Sequence, residues 1–447
     1  MATASAVASP QLRPVATPVQ ESRVPLLDAI VLYGTASALL FGPLAFGAVE
    51  AWATFALQLL AVALVLLWSI RQVRAARLEI TWNPLFAPML AFGVVIAAQL
   101  LLGTTAYRYS TTSSGLLYVT YGIFAFLTIQ TLRRTAQVKT LAWMFSVYGA
   151  AVALFALVQS LSSNGKLYWV RSPRSGGWIY GPYVNHNHYA GLMEMLLPVA
   201  LVISLSRSVG RKIRWTAGSA AVLMAGTIFL SGSRGGMIAF VAQMAVLTLI
   251  ARLQKNRRAA LATSVVIIVI AALILWIGGQ ELTTRITSIH SEAKTELDTG
   301  LRLRIDRDGL RMFSQRPVLG WGLGNFPVVY PQFRSFFTDK FVNRAHNDYL
   351  QLLTETGLAG FGTMVWFLIV VYRRAIKKLE NWHADMNGAV ALAMLLSCTG
   401  ILVHSFLDSN LQIPANAALF YCMCTLAAAG TNFGSHRRPR ARTHGDS

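Results

Sequence analysis

The chain has 447 residues, of which 55% are apolar and only 13% are charged. Soluble domains carry about 25% charged residues, so a chain this long and this poor in charge lacks the polar surface that a water-soluble protein needs. The formal net charge of +21 would suit a nucleic-acid-binding protein, but the basic residues lie mostly in short connections between apolar segments. We therefore predict an integral membrane protein with no nucleic-acid partner.

A window of about 20 apolar residues can cross a bilayer as a helix. The sequence predicts an all-α polytopic membrane protein with about twelve such helices. In chain order the windows lie near 27–47, 49–70, 84–103, 115–131, 139–161, 189–205, 214–231, 235–251, 259–279, 348–372, 388–407 and 413–430. Residues 26–279 thus hold spans one to nine and residues 348–430 hold spans ten to twelve. The only long hydrophilic connection, 280–347, lies between spans nine and ten.

Basic residues concentrate in every second connection. Arg133 and Arg134 follow the fourth window, for example, and Arg373 and Arg374 follow the tenth. Basic connections stay in the cytoplasm, so this pattern predicts two cytoplasmic termini and places segment 280–347 on the opposite face. Residues 1–25 are polar and proline-rich and are predicted to form a disordered cytoplasmic tail, and residues 431–447 a basic cytoplasmic tail.

The long connection is predicted to be partly helical. No proline occurs from Thr299 to Gln315, and Pro317 then ends the helical pattern. Within this helix one face is expected to carry Leu303, Leu310 and Phe313, and another face Arg304, Arg307 and Arg311. The arginines suit either an anionic ligand or a solvated face on which Asp308 pairs with Arg304.

The connection ends at a predicted helix start that places a histidine at the membrane surface. Asn347 is expected to cap the helix that follows, and Asp348 suits the positive end of its dipole. His346 would therefore be held by a rigid element.

Polar residues inside or at the edge of a membrane protein are candidates for function. Several are predicted at the same face as the long connection: Arg234 in the tight hairpin 231–236, Asn187 and His188 at the start of span six, and His404 and Asp408 near the end of span eleven. Each also has a structural interpretation. Arg234 could contact lipid phosphate, and His346 could simply neighbour the helix cap. His404 and Asp408 could form a structural hydrogen-bonded pair, and the histidines at 186 and 188 could line a loop.

Two kinds of chemistry fit these residue types. His186, His188 and either His346 or His404 could bind a metal, but their spacing matches no compact ligand motif, so no metal is predicted. Arginine binds phosphate with a rigid fork, and histidine accepts a proton near neutral pH. Together they suit transfer of a group away from a diphosphate, with histidine deprotonating the incoming hydroxyl.

The motifs resemble those of the bacterial O-antigen ligase and polymerase superfamily, which includes protein O-oligosaccharyltransferases. The histidine motif His346-Asn347, nine residues, Gly357, two residues, Gly360 resembles the signature that follows the long periplasmic loop of that superfamily. Similar counterparts are found in the segment 302–326, in Ser233-Arg234-Gly235, and in the segments 181–183 and 187–188. The resemblance covers roughly residues 115–430.

The resemblance implies a multi-pass protein of the bacterial inner membrane that moves a glycan from an undecaprenyl-diphosphate carrier to an acceptor hydroxyl at the periplasmic face, without a cofactor or metal. By position, Arg234 and Arg302 would bind the diphosphate and His346 would be the base. Arg304 is an alternative to Arg302, because Asp306 stands where the family often has tryptophan. Asn187, His188, Asn347, His404 and Asp408 are the remaining predicted substrate-binding residues.

The implied partners are a lipid-linked oligosaccharide donor, membrane lipids, and an acceptor hydroxyl on a glycolipid, a glycan or a protein. The motifs do not separate a ligase from a polymerase. A transporter for an inorganic anion or a lipid-linked sugar is the alternative, since twelve spans with cytoplasmic termini is a common transporter plan. Few ionisable residues lie deep in the spans, Glu194 being the clearest, which argues against transport. A non-catalytic scaffold is the third hypothesis.

Overall fold

The computed structural model describes residues 26–173, 177–255, 299–338 and 341–430, together with residues 261 and 264. Within these ranges the chain is all-α and polytopic, as the sequence predicts. The helices are α1 (Leu26–Leu44), α2 (Ala51–Arg74), α3 (Phe86–Leu101), α4 (Arg108–Thr131), α5 (Thr135–Leu161), α6 (His186–Leu205), α7 (Arg211–Leu230), α8 (Arg234–Leu253), α9 (Thr299–Gln315), α10 (Phe326–Val329), α11 (Asp348–Ile376), α12 (Met386–His404) and α13 (Pro414–Ala428).

Nine of the described helices are long and apolar enough to cross a membrane, and α3 and α13 are shorter apolar helices. Eleven of the twelve predicted windows therefore fall on helices, and the twelfth, 259–279, lies outside the described residues. The total of about twelve spans stays a prediction. The predicted windows 115–131 and 189–205 are shorter than the helices that contain them, because α4 and α6 begin earlier and have 24 and 20 residues.

Helices α6 and α12 form the centre of the bundle. Their most apolar windows are 78% buried inside the protein, against 28–50% for the other long apolar helices. Helix α12 packs against α6, α8 and α13, and α6 also packs against α7. Residues of α6 and α12 therefore have little contact with lipid, so their few polar side chains must find partners within the protein.

One end of the bundle holds α9, α10 and the connections 45–50, 102–107, 162–173, 177–185, 231–233 and 405–413, and we call it the site end. Tyr168 donates to the Leu44 carbonyl at 2.6 Å, for example, and Arg316 donates to the Thr104 carbonyl at 2.6 Å. The opposite end carries the basic residues that close α2, α8 and α11.

Helix α9 has the predicted bounds, but the structure corrects its orientation. Its buried face is formed by Ile305, Asp308, Gly309 and Met312, whereas Leu303 and Leu310 are 67% and 57% exposed. Asp308 does not pair with Arg304. It accepts hydrogen bonds from the Ser335 backbone N–H at 2.9 Å and hydroxyl at 3.1 Å, and lies 3.7 Å from Arg311. The Asp308 carboxylate can be buried because Ser335, in the segment after α10, donates hydrogen bonds to it.

Candidate functional site

The loop between α9 and α10 docks onto a break in α11. At Gly357 the backbone has φ +63°, and a side chain there would meet the Val318 carbonyl oxygen at 2.3 Å. Past the break, Leu358 donates its N–H to the Pro317 carbonyl at 2.8 Å. Before it, Thr354 accepts from the Trp321 N–H at 3.0 Å. The glycine of the histidine motif is therefore required where α11 exchanges backbone hydrogen bonds with the loop.

Two buried polar side chains also hold the loop between α9 and α10 against α11. Gln99 of α3 donates to the Leu319 carbonyl at 2.6 Å and to the Glu355 carbonyl at 2.8 Å. The buried Glu355 carboxylate accepts from the Gly324 N–H at 2.8 Å and the Phe326 N–H at 3.2 Å. Irregular backbone next to membrane helices is tolerated when protein groups satisfy it, and here they fix α9 and its arginines relative to α11.

His346 lies at the start of α11, where Asn347 caps the helix as predicted. The Asn347 side chain accepts from the N–H groups of Tyr349 and Leu350, both at 3.2 Å. Asp348 is buried and accepts from the Ser405 hydroxyl at 2.9 Å. His346 itself has φ +55°, a backbone conformation that non-glycine residues rarely adopt and that is typical of functional sites.

The His346 ring pairs with Asp408. The His346 Nδ1 atom lies 3.1 Å from Asp408 Oδ1, and their side chains are 19% and 2% exposed. Burial alone would raise the pKa of the Asp408 carboxyl, but its hydrogen bond to His346, together with the charge of His346, holds that pKa well below its usual range. Asp408 is therefore an ionised carboxylate that orients the ring, leaving the second ring nitrogen for another partner.

Arg302 of α9 reaches the same place. Its Nη1 donates to the Leu407 carbonyl at 2.8 Å, next to Asp408, while its buried Nε has no hydrogen-bond partner among the described residues. Arg304, two residues on, is exposed. Of the two arginines left open by the sequence, Arg302 is the one beside His346, and it offers an unused N–H to an anion.

His188 also lies near Asp408 and His346, close enough for electrostatic interaction. Its backbone carbonyl is held by the Asn416 side chain, which donates to it at 3.0 Å. Asn187 is buried in the first turn of α6, and its N–H donates to Asn185 at 2.8 Å. His188, and not Asn187, therefore lies in the neighbourhood of His346 and Asp408, although no hydrogen bond among the described residues joins it to either.

His404 does not pair with the Asp408 carboxylate. Its Nδ1 lies 2.8 Å from Glu194 Oε1, and both side chains are almost fully buried between α12 and α6. Gly235 packs so tightly against this ring that a side chain there would lie 2.4 Å from it. The His404–Glu194 pair thus lies directly beneath the hairpin that carries Arg234.

Arg234 begins α8 after a turn in which Gly232 has φ +75° and Ser233 caps the helix by accepting from the Gly236 N–H at 3.1 Å. The arginine is exposed at the site end, and makes no hydrogen bond or ion pair with the other described residues. It belongs to the same end as His346, but no contact joins the two.

Two charged neighbours of His346 were not predicted as site residues from the sequence. Asp306 lies one helical turn after Arg302, and the charges of His346 and Arg302 act on it. Arg344 is half-buried; burial lowers its pKa, while the negative charges of Asp348 and Asp408 oppose that shift. The only sequence signal for these residues is their position near Arg302 and His346. In the described part of the chain no three His, Cys, Asp or Glu residues are grouped as a metal site would need.

Residues 219–365 match the family described as O-antigen ligase. This match confirms the resemblance to the O-antigen ligase superfamily. The matched segment contains Arg234, α9, the docked loop, His346 and the break at Gly357, but not Asp408 or His404. It supports, in general terms, a membrane glycosyltransferase of the O-antigen ligase and polymerase type, a family whose substrates are lipid-linked glycans. No curated protein matches the chain.

Proposed function

We propose that this protein moves a glycan from an undecaprenyl-diphosphate carrier to an acceptor hydroxyl at the periplasmic face of the bacterial inner membrane. The observation that carries the proposal is the His346–Asp408 pair, 3.1 Å apart, with Arg302 held against the adjacent Leu407 carbonyl. A base oriented by a carboxylate and an arginine with a free N–H are the groups that transfer from a diphosphate needs.

In the proposed reaction the acceptor oxygen attacks the anomeric carbon of the glycan. The new carbon–oxygen bond forms as the bond from that carbon to the diphosphate oxygen breaks, and the diphosphate keeps the electron pair. His346 takes the proton of the acceptor hydroxyl on Nε2, because Nδ1 faces Asp408. The Asp408 carboxylate then stabilises the imidazolium that forms.

Arginines compensate the charge that develops on the leaving diphosphate. Arg302 offers its unpartnered Nε, and Arg234 is exposed at the same end with its guanidinium available. Arginine remains charged throughout the physiological pH range, so neither residue must change protonation state during the reaction.

An apolar cleft suits a short part of the carrier chain. It has a cavity volume of about 80 Å³ and runs along α11 from Asp348 and Ser405 at the site end to Phe361, Met364 and Leu368. A prenyl unit at this cleft would contact apolar side chains while the diphosphate stays at the site end, near His346.

The proposed orientation follows from charge. Basic residues close α2, α8 and α11 at the end opposite the site. The positive-inside rule then places that end and both termini, with tails 1–25 and 431–447, in the cytoplasm, and places segment 280–347 in the periplasm.

The acceptor separates a ligase from a polymerase. A glycolipid or protein hydroxyl makes the protein a ligase, whereas a growing polysaccharide makes it a polymerase of the same superfamily. Transport is the alternative that the buried His404–Glu194 pair favours, because transporters carry ionisable pairs inside their spans.

The test uses the full-length protein reconstituted in vesicles with an undecaprenyl-diphosphate-linked glycan and each class of acceptor, with and without a chelator. We expect transfer by the wild type in both conditions, and its loss in His346→Ala and in Arg234→Ala with normal insertion. If either variant keeps full activity, the role given to that residue is wrong, and chelator sensitivity would indicate a metal. Uptake of glycan that persists in His346→Ala would instead indicate transport.

A further inference from the structure

Asp306 faces the same site as Arg302 from the next turn of α9. Residues 302, 306 and 309 lie on one face of a helix, at i, i+4 and i+7. Both ends of this row are fixed by contacts: Arg302 donates to the Leu407 carbonyl at 2.8 Å, and a side chain at Gly309 would lie 2.8 Å from Leu350 of α11. Asp306 is therefore directed at the start of α11, where His346 and Asn347 lie.

The carboxyl of Asp306 lacks part of its hydrogen bonding. The residue is half-buried, and its Oδ1 atom is buried without a partner among the described residues. Burial raises the pKa of Asp306, while the Asn347 side chain and the charges of His346 and Arg302 act in the opposite direction. A buried carboxylate oxygen without a donor is costly unless a ligand supplies one.

We propose that Asp306 binds the acceptor, and that the acceptor is a polyhydroxylated molecule, namely a sugar. The Asp306 carboxylate accepts a hydrogen bond from a hydroxyl next to the one that reacts. Asp306 takes no part in bond making, since the proton of the reacting hydroxyl goes to His346. This inference rests on the proposed glycan transfer and adds to it the residue that holds the acceptor.

Electrostatics assigns Asp306 to the acceptor and not to the donor. A carboxylate repels a diphosphate, whereas a sugar hydroxyl donates to it readily. Arg302 and Asp306 lie one helical turn apart, about 6 Å along the axis of α9, so the two side chains can reach opposite sides of one substrate carbon. His346 lies beside both residues, where the proton must be taken.

The test measures transfer in vesicles while donor and sugar acceptor are varied separately, in the wild type, Asp306→Asn, Asp306→Glu and the control Glu380→Gln. Glu380 is an exposed carboxylate at the opposite end of the bundle. We expect Asp306→Asn to raise the acceptor KM about tenfold, since an amide oxygen is a weaker acceptor than a carboxylate. The donor KM and the slow hydrolysis of donor without acceptor should stay within about twofold of the wild type. Asp306→Glu should recover part of the acceptor affinity, and Glu380→Gln should match the wild type.

An unchanged acceptor KM in Asp306→Asn overturns the inference, and so does a parallel loss of donor hydrolysis, which would indicate a structural role. If Asp306→Asn fails to insert, Asp306→Ser takes its place, and an acceptor KM in Asp306→Ser equal to that of the wild type has the same meaning. A wild type that consumes no donor at all overturns the proposed function, and this inference with it. An active wild type with an unaffected Asp306→Asn overturns this inference alone.

Discussion

Replacing Asp408 by asparagine probes the His346–Asp408 pair with little change in shape. The variant keeps an oxygen for the Ser409 N–H, which Asp408 accepts at 2.7 Å, so the connection after α12 should hold. It removes the charge that faces His346 Nδ1 at 3.1 Å. In the opposite amide orientation the asparagine would donate to Nδ1 and lose the Ser409 hydrogen bond, because one oxygen, Oδ1, makes both contacts; the ring proton would then lie on Nε2 and the base would be removed.

The magnitude follows from the type of hydrogen bond lost. A hydrogen bond to a charged group contributes about 1.5–3 kcal/mol, and each 1.36 kcal/mol corresponds to about a tenfold change in rate. We expect kcat for transfer to fall about 10- to 160-fold, with the donor KM changed by less than about threefold. A loss above this range would indicate that the ring adopts the wrong tautomer.

The assay is single-turnover transfer of a labelled glycan in vesicles, across a range of pH. The pKa of Asp408 is depressed in the folded protein, so its stabilising effect is present above the unfolded value of about 3.9 and is lost only as pH falls through the lower folded value. Asp408 should therefore remain ionised between pH 5 and 8, and the wild-type rate should exceed the variant rate throughout this range.

The control is Asp385→Asn, because Asp385 caps α12 at the opposite end by accepting from the Gly388 N–H at 2.8 Å and asparagine caps equally well. The control should behave like the wild type. An Asp408→Asn variant within about twofold of the wild type would refute the role given to the pair.

Two further predictions concern α9 and the break in α11. Arg302→Lys should raise the donor KM about tenfold, because lysine cannot reproduce the guanidinium fork. Arg304→Lys should leave the donor KM unchanged, since Arg304 is exposed. Equal effects of the two variants in a donor titration would contradict the assignment of Arg302 to the diphosphate. Gly357→Ala should lower the free energy of unfolding by at least about 2 kcal/mol, because the backbone φ of +63° disfavours alanine and the added methyl group would clash with the loop backbone. The control is Gly362→Ala, at a helical position where an added side chain has no atom within 4 Å, and it should be neutral or slightly stabilising. Melting temperatures are compared in detergent. Similar values for the two variants would show that the loop is not docked as described.

Local signals in the sequence predicted the local features well. The proline-free stretch and Pro317 gave the bounds of α9, Asn347 caps α11, and the glycines around Arg234 form the expected turn. Each of these features depends on a few neighbouring residues, whose backbone preferences are set by chemistry that the sequence displays directly.

Contacts between distant residues were not accessible in the same way. His346 and Asp408 are 62 residues apart in the chain, and Glu194 and His404 are 210 apart. The sequence placed His404 and Asp408 together because they are one turn apart, yet packing gives each a different partner. The buried face of α9 was likewise misassigned, because Asp308 is held by donors from the segment after α10. Hydrophobic periodicity cannot anticipate a buried carboxylate whose partners come from elsewhere.

The central claim is that His346 and its neighbours release a glycan from a lipid diphosphate. The most direct measurement follows purified protein, carrier-linked glycan and acceptor in vesicles, and quantifies the free carrier diphosphate and the glycosylated acceptor together. We predict equal amounts of the two products with the wild type and neither with His346→Ala. Equal product formation by His346→Ala, or glycan that crosses the membrane still attached to its carrier, would contradict the account.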